Sequence, residues 1–368
     1  MKYRFYKNTK LMSKNIVIFS DGTGQKGGVG SNTNVYKLFN MIEDRTNRQI
    51  AFYDPGLGTD RRRISGLISG RGFSKNMMDC YRFIFENFKA DDKIYLFGFS
   101  RGAATVRSLS GFIHLFGVLP ISRPDLIKKA FNIYKIKNSS ERAKKAKAFI
   151  EKHHTMWCKI EFLGVWDTVA ALGFPIKWLS ALFDMIFPHQ FHNFDLSKSV
   201  EFARQALSID DERKTFHPVF WNPIENDKTE KMKQVWFCGV HTDVGGGYPE
   251  DDLSDISLKW MIQEATSKNL ILYPKSPAYK RLAESNPDIN GMMHNEQKTF
   301  PGKLLKRMKR TWDKSTHGEP CIHESVFKRT KNSDNTDSPN YSPWIFEYID
   351  KENPCIEPEK ISFAKKMV

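Results

Sequence analysis

The stretch LFGFSRGAA, residues 96–104, constrains the fold more than any other feature of the chain. Gly98, Ser100 and Gly102 spell G-x-S-x-G between KIYLFGF (93–99), a run with strand character, and AATVRSLSGFIHLFG (103–117), which has helical spacing. A serine between a buried strand and a helix is the nucleophile elbow of an α/β sheet. It has to sit on a tight, strained turn. Side chains two positions away on either side would strike the adjoining strand or helix, so glycine is needed at 98 and 102. The helix opening at Arg101 brings free N–H groups and a positive dipole end to the serine, where an oxyanion would develop.

Runs with the same strand character recur at NIVIFS (15–20), QIAFYD (49–54), IEFLGVW (160–166), EFARQALSI (201–209) and QVWFCGV (234–240). Between them, KNMMDCYRFIFENF (75–88) and DISLKWMIQEAT (255–266) carry apolar residues at i, i+3, i+4 and i+7. The alternation predicts an α/β fold with a mostly parallel sheet flanked by helices, one domain across residues 1–368. Two stretches break the rhythm. Residues 124–156 are Lys-rich and read as an inserted helical hairpin, while 171–194 are apolar beyond the needs of one buried stripe. Both are expected to lie over the carboxyl ends of the strands. Phe174, Trp178, Phe183 and Phe187 of the second would form a lid or acyl pocket. A basic run, GKLLKRMKRTWDKS (302–315), holds Lys303, Lys306, Arg307, Lys309 and Arg310 around Leu304, Leu305 and Met308. It reads as a surface helix whose composition also suits an anionic membrane interface.

A serine hydroxyl needs a base, and the base needs an orienting carboxylate. In this class of fold their chain order is Ser, acid, His. Asp167 closes the strand IEFLGVW, where an acid would stand, although an Asp before Thr168 would also serve as a helix N-cap. His241 follows QVWFCGV and opens the glycine-rich HTDVGGGYPE, which makes it the best of the ten histidines, with His323 in CIHESVF its rival. After the first strand, SDGTGQKGGVGSNTN places Gly22, Gly24 and Gly27 in a G-x-G-x-x-G spacing. A dinucleotide fingerprint would open a helix at once, whereas here the helical pattern waits until about Asn34. An oxyanion loop is the better reading, with Gly22 and Thr23 donating N–H groups beside that of Arg101. The competing chemistry is a divalent ion held by Asp21, Asp167 and Asp243 for phosphodiester cleavage, which leaves the elbow serine without a role.

Composition narrows the rest. Lys and Arg number 57 against 42 Asp and Glu, a formal +15, which suits an anionic membrane surface, nucleic acid or a solvated face. Charge scattered over several segments favours the last, so nucleic acid is not expected as a partner. Five cysteines without a CxxC pair form neither a disulfide framework nor a zinc cluster, and a reducing compartment follows. The first twenty residues have no apolar core of a secretory signal, and no stretch reaches the ~18 apolar residues of a membrane span. A cytoplasmic location, or export without a classical signal, is expected. No oligomeric state follows from the sequence.

Taken together, IVIFSDGTGQ, YDPGLGT (53–59), GFSRGAATVR, FLGVWDTVAALG, DDERKTFHPVFW (210–221), VWFCGVHTDVGGGY and IHESVFKR (322–329) resemble the α/β-hydrolase family that includes the catalytic domain of type VI secretion phospholipase effectors. The resemblance runs in order from about residue 14 to about residue 330. It implies Ser100 as nucleophile, Asp167 as acid and His241 as base; with the apolar 171–194 segment following the acid, the expected substrate is a phospholipid or related lipid ester, and no cofactor or metal is expected.

Overall fold

The computed structural model describes residues 13–22, 25, 27–56, 70–169, 195–224, 227, 229–296, 305–333 and 341–359. Its strands are β1 (Asn15–Ser20), β2 (Gln49–Asp54), β3 (Lys93–Phe99), β4 (Ile160–Trp166), β5 (Val200–Ser208), β6 (Met232–Phe237), β7 (Cys321–His323) and β8 (Ile356–Glu357). They form one sheet in the order β2-β1-β3-β4-β5-β6-β7-β8, and every neighbouring pair is parallel. The first four coincide with the runs read from the sequence. β6 ends at Phe237, so Cys238 to Val240 leave the sheet instead of extending the strand. β7 and β8 have three and two residues, too short to show a period of two.

The helices are α1 (Asn34–Phe39), α2 (Gly70–Asn87), α3 (Arg101–Phe116), α4 (Asp125–Tyr134), α5 (Ser139–His153), α6 (His241–Gly245), α7 (Asp252–Thr266), α8 (Pro277–Glu284), α9 (Lys314–His317) and α10 (Glu324–Ser333). Alternate residues of the central strands face opposite layers, as the pleat requires. Ile16, Ile18, Ile94 and Leu96 pack with α2 and α3, while Val17, Phe19, Tyr95 and Phe97 pack with α1 and α7. β1 leads to β2 on one side while β3 leads to β4 on the other, so the connections after these two neighbouring strands leave in opposite directions. The crevice at such a reversal, outside the carboxyl ends of the strands, is where sheets of this kind bind ligands.

One expectation about position fails, and a second concerns residues outside those described. The 124–156 segment is the helical hairpin α4–α5, but it does not lie over the carboxyl ends of the strands. Its apolar side, including Leu126, Ala130, Tyr134 and Phe149, is buried in the α2–α3 layer. The Tyr134 hydroxyl donates to the Ser108 carbonyl at 2.8 Å, and Phe149 meets Phe116 edge-on. Those positions on α3 lie roughly 10–25 Å along the axis from its start at the elbow. The apolar segment 171–194, with Phe174, Trp178, Phe183 and Phe187, lies outside the described residues.

Over its described residues 305–313 the basic run is also no surface helix. Residues 306–308 are extended against 212–214, with the Lys214 amide donating to the Lys306 carbonyl and the Met308 amide to the Glu212 carbonyl. Helix begins only at Lys314, and Arg310 is wholly buried. The backbone of this run is already paired with another segment, and its one buried cation is drawn inward by a carboxylate described below. Among the described residues, no helix is long and apolar enough to cross a membrane.

The elbow glycines have the steric reason the motif implies. A Cβ on Gly102 would stand 2.0 Å from the Ser20 carbonyl oxygen, and one on Gly98 would stand 2.6 Å from that of Gly102. These obstacles are backbone and cannot swing away. Gly102→Ala should therefore cost at least the ~1–3 kcal/mol typical of overpacking. Urea unfolding checks this; a variant with the wild-type midpoint would contradict the packing of α3 on β1.

Candidate active site

The register of the sheet places the chemistry. Phe99 pairs with Trp166 and Trp166 with Ala206, so Ser100 and Asp167 leave neighbouring strands at one edge. The Ser100 amide donates to the Trp166 carbonyl at 3.1 Å, and the Asp167 amide to that of Ala206 at 2.7 Å. Ser100 has φ 58° and ψ −120°, the strained conformation an elbow predicts and one that non-glycine residues rarely adopt. It precedes α3 without capping it through its side chain, which leaves the first-turn N–H groups to point at the space above the serine.

The structure brings Asp167 and His241 together. Their contact, Nδ1 to Oδ2, is 2.6 Å and wholly buried. The imidazole is held between Phe99, with ring centroids 4.5 Å apart, and the edge of Phe216. Its other nitrogen, Nε2, is buried and has no hydrogen-bond partner among the described residues. An orphaned buried acceptor is costly, and at an active site it marks a group kept free for a reaction. Phe99, which packs on the ring, immediately precedes Ser100.

Asp167 is fixed by more than the histidine. Arg310 donates from both terminal nitrogens, at 2.7 Å to Oδ1 and 2.8 Å to Oδ2, while the Ser208 amide reaches Oδ1 at 3.0 Å. The remaining guanidinium hydrogens go to the carbonyls of Ser208, Phe216 and Asp211. Burial alone would raise the Asp167 carboxyl. The Arg310 charge and its hydrogen bonds overcome that effect and hold it well below the usual carboxylate range. His241 moves the other way to the pull of its partner: burial disfavours the imidazolium more than Asp167 favours it, so its pKa is lowered. Asp211 supports the base from behind, accepting the His241 amide at 3.2 Å while paired with Arg213, which lies over the Phe216 ring. Arg310, Asp211 and Arg213 went unassigned in the sequence. The latter two stand in the quoted DDERKTFHPVFW, but nothing local distinguishes Arg310 from the cations around it.

Other candidates resolve differently. His323 is buried with Nδ1 on the Ser325 hydroxyl, and burial pushes its pKa down to about 3. Gly22 does lie beside the serine, since a Cβ built on it would stand 3.5 Å from Ser100 Cβ. Its N–H, however, already donates to Asp21 Oδ1 at 2.7 Å, so Gly22 is not a free oxyanion donor, and Thr23 lies outside the described residues. Asp21 instead organises the loop through the hydroxyls of Thr33 and Tyr53. Asp243 accepts from His294 and the Val240 amide. Asp21, Asp167 and Asp243 thus have separate partners, and among the described residues no group of three His, Cys, Asp or Glu side chains is placed to hold a metal ion.

An elbow at the carboxyl edge of a parallel sheet, beside a buried Asp–His pair, defines an α/β-hydrolase-like protein. The chain belongs to the Tle1-like family of type VI secretion phospholipase effectors, whose catalytic-domain model matches residues 14–264. It is 30% identical over 257 residues to the uncharacterized protein YEL023C of Saccharomyces cerevisiae, covering 62% of this chain and 36% of that one. The chain thus spans about a third of that relative's length. Solved structures similar to it include an uncharacterized protein from Pseudomonas aeruginosa (TM-score 0.49, 18% identity, 75% of this chain and 51% of that chain). Another is the Tle1 effector bound to the VgrG spike of the type 6 secretion system (TM-score 0.37, 19% identity, 65% and 52%).

The buried ion pair gives a signed expectation. Asp167 has its folded pKa depressed, so the stability it contributes is present above its unfolded value near ~4 and is lost as pH falls below it. Arg310→Met would strand the buried carboxylate and should cost about 3–5 kcal/mol at pH 7. The cost should shrink below about pH 4. Urea unfolding at the two pH values tests it, and a cost independent of pH would assign Arg310 a packing role only.

Proposed function

We propose that the protein is a serine hydrolase of carboxylic esters carried by a phospholipid or related lipid. The observation that carries the reading is the buried Asp167–His241 pair with Nε2 unpartnered beside the strained elbow of Ser100. In the proposed reaction Ser100 Oγ attacks the ester carbonyl and its proton passes to His241 Nε2, while Asp167 keeps the tautomer with hydrogen on Nδ1. The N–H of Arg101 at the start of α3 stabilises the oxyanion, with a second donor expected from the loop after β1. Collapse expels the alcohol, which takes the proton from Nε2. Water then attacks the acyl-serine with the same imidazole as base.

An anionic lipid is supported by Arg101 as well as by family membership. Its side chain, on the residue after the nucleophile, is half-buried, and among the described residues no carboxylate or hydrogen-bond acceptor pairs with it; desolvation lowers its pKa to about 10. A guanidinium left without a counter-charge beside a reacting serine suits a substrate phosphodiester, which it can grip with two parallel hydrogen bonds.

Ser100→Ala should lower phospholipid turnover by about 10⁴-fold or more while leaving the melting temperature near wild type. Retained turnover would reject the acyl-enzyme. Arg101→Gln keeps the backbone N–H and should lower kcat/KM on phospholipid vesicles by roughly 10–100-fold, with a neutral short-chain ester changed less than ~3-fold. Equal losses on both substrates would remove the headgroup role. The acidic limb of kcat/KM on the neutral ester should lie below the ordinary histidine value of ~6.5, since burial keeps the base neutral to lower pH.

A further inference from the structure

Two thiols distant in the chain meet on the last pair of strands. β7 and β8 run parallel with Ile322 opposite Ile356 and His323 opposite Glu357, and the Ile322 amide donates to the Cys355 carbonyl at 3.0 Å. One residue earlier in each segment stand Cys321, the first residue of β7, and Cys355, immediately before β8. Parallel neighbours at the same level point to the same face and lie about 4.8 Å apart, within the ~4.4–6.8 Å Cα separation a disulfide requires. The two thiols are near enough to perturb each other's ionisation.

The pair is also asymmetric in the way thiol–disulfide exchange needs. Cys355 is exposed and Cys321 half-buried, whereas Cys80, Cys158 and Cys238 are buried. The neighbouring Cys321 thiol, with the Lys233 ammonium assisting, lowers the Cys355 pKa against burial and the charges of Glu357 and Glu319. Burial pushes the thiols of Cys80, Cys158 and Cys238 up.

We propose that Cys321 and Cys355 are a dithiol modification site, converted by small disulfides of the glutathione type into an intrachain disulfide that staples the C-terminal segment to the sheet. The Cys355 thiolate attacks one sulfur of the small disulfide, forming a mixed disulfide and expelling one thiolate, which is protonated. Cys321 then loses its proton and its sulfur attacks Cys355 Sγ, expelling the second small thiol. Two protein thiols are oxidised by two electrons, and one small disulfide is reduced to two thiols.

The staple has something to hold. β8 pairs over two residues only, so its edge is weakly fastened by backbone alone. The segment leading into it covers the end of β5: the Trp344 indole donates to the Ile209 carbonyl and the Tyr341 hydroxyl to Asp210. The next residue, Asp211, accepts the His241 amide. Oxidation therefore braces, from outside the site, the loop that backs the imidazole.

The test incubates the full chain with oxidised or reduced glutathione and reads intact mass, peptide maps and melting temperature. Expected in the oxidised sample are a mass lower by about 2 Da, a linked Cys321–Cys355 peptide and a melting temperature higher by ~5 °C. Cys355→Ser should abolish all three. Cys321→Ser should stop at the mixed disulfide, a gain of about 305 Da. The proposal is overturned if wild type keeps glutathione on Cys355 without closing the ring, links two chains instead, or shows no change in thiol content.

Discussion

The contact on which the site depends is the two-pronged bond from Arg310 to Asp167. A carboxylate with no exposed surface would protonate or unfold its surroundings unless a charge met it. Arg310 meets it with both terminal nitrogens and spends its remaining hydrogens on three carbonyls, so neither ion of the pair is left with an open valence. That arrangement keeps Asp167 ionised. An ionised Asp167 in turn fixes the His241 ring with its second nitrogen free, and the free nitrogen is what gives the neighbouring serine a chemical prospect.

The sheet supplies the other half of the constraint. Because all the pairs are parallel, every connection from a strand's carboxyl end emerges at the same edge. The residues after β1, β3, β4 and β6 are therefore neighbours before any side chain is chosen. The elbow then needs close approach of α3 to β1, which Gly102 permits, and a positive φ at Ser100. Strain at one serine is held by packing on all sides: Phe99 lies within the second core layer and α3 within the first.

Much of this was legible because it is local. The G-x-S-x-G spacing, four strands to the residue, and Asp167 at the end of β4 all follow from short windows of sequence, as does His241 in the connection after β6, although it opens α6 three residues beyond the strand. What escaped depends on contacts between distant segments. Arg310 carries the same charge as Lys309 beside it, and only the pairing of 306–308 with 212–214 turns one of them inward. An insertion such as the Lys-rich hairpin is expected over the site on sequence pattern alone, because insertions often cover one. Its buried stripe of Leu126, Ala130 and Tyr134 commits it instead to the far half of α3. Gly22 was given a free N–H because no local pattern reveals that the preceding Asp21 side chain would take it. Counting cysteines found no pair, since Cys321 and Cys355 are joined by strand register and not by spacing.

The family match ends at residue 264, whereas the partner of Asp167 lies beyond it. The matched segment contains Ser100, Asp167 and His241 and would pass as a complete catalytic unit on sequence alone. It lacks Arg310, and it lacks β7, which covers the open side of β6. It also lacks Trp312 and Ile345, which bury Trp236 together with Ile322. A chain cut after residue 264 should therefore not reach the native state: it would combine an unpaired buried carboxylate with a bare central strand, and bare strand edges associate. Expression of residues 14–264 beside the full chain, followed by near-ultraviolet circular dichroism, tests this directly. A soluble, cooperatively unfolding fragment would mean that Asp167 finds another partner, and that the Arg310 fork is a refinement instead of a condition for folding.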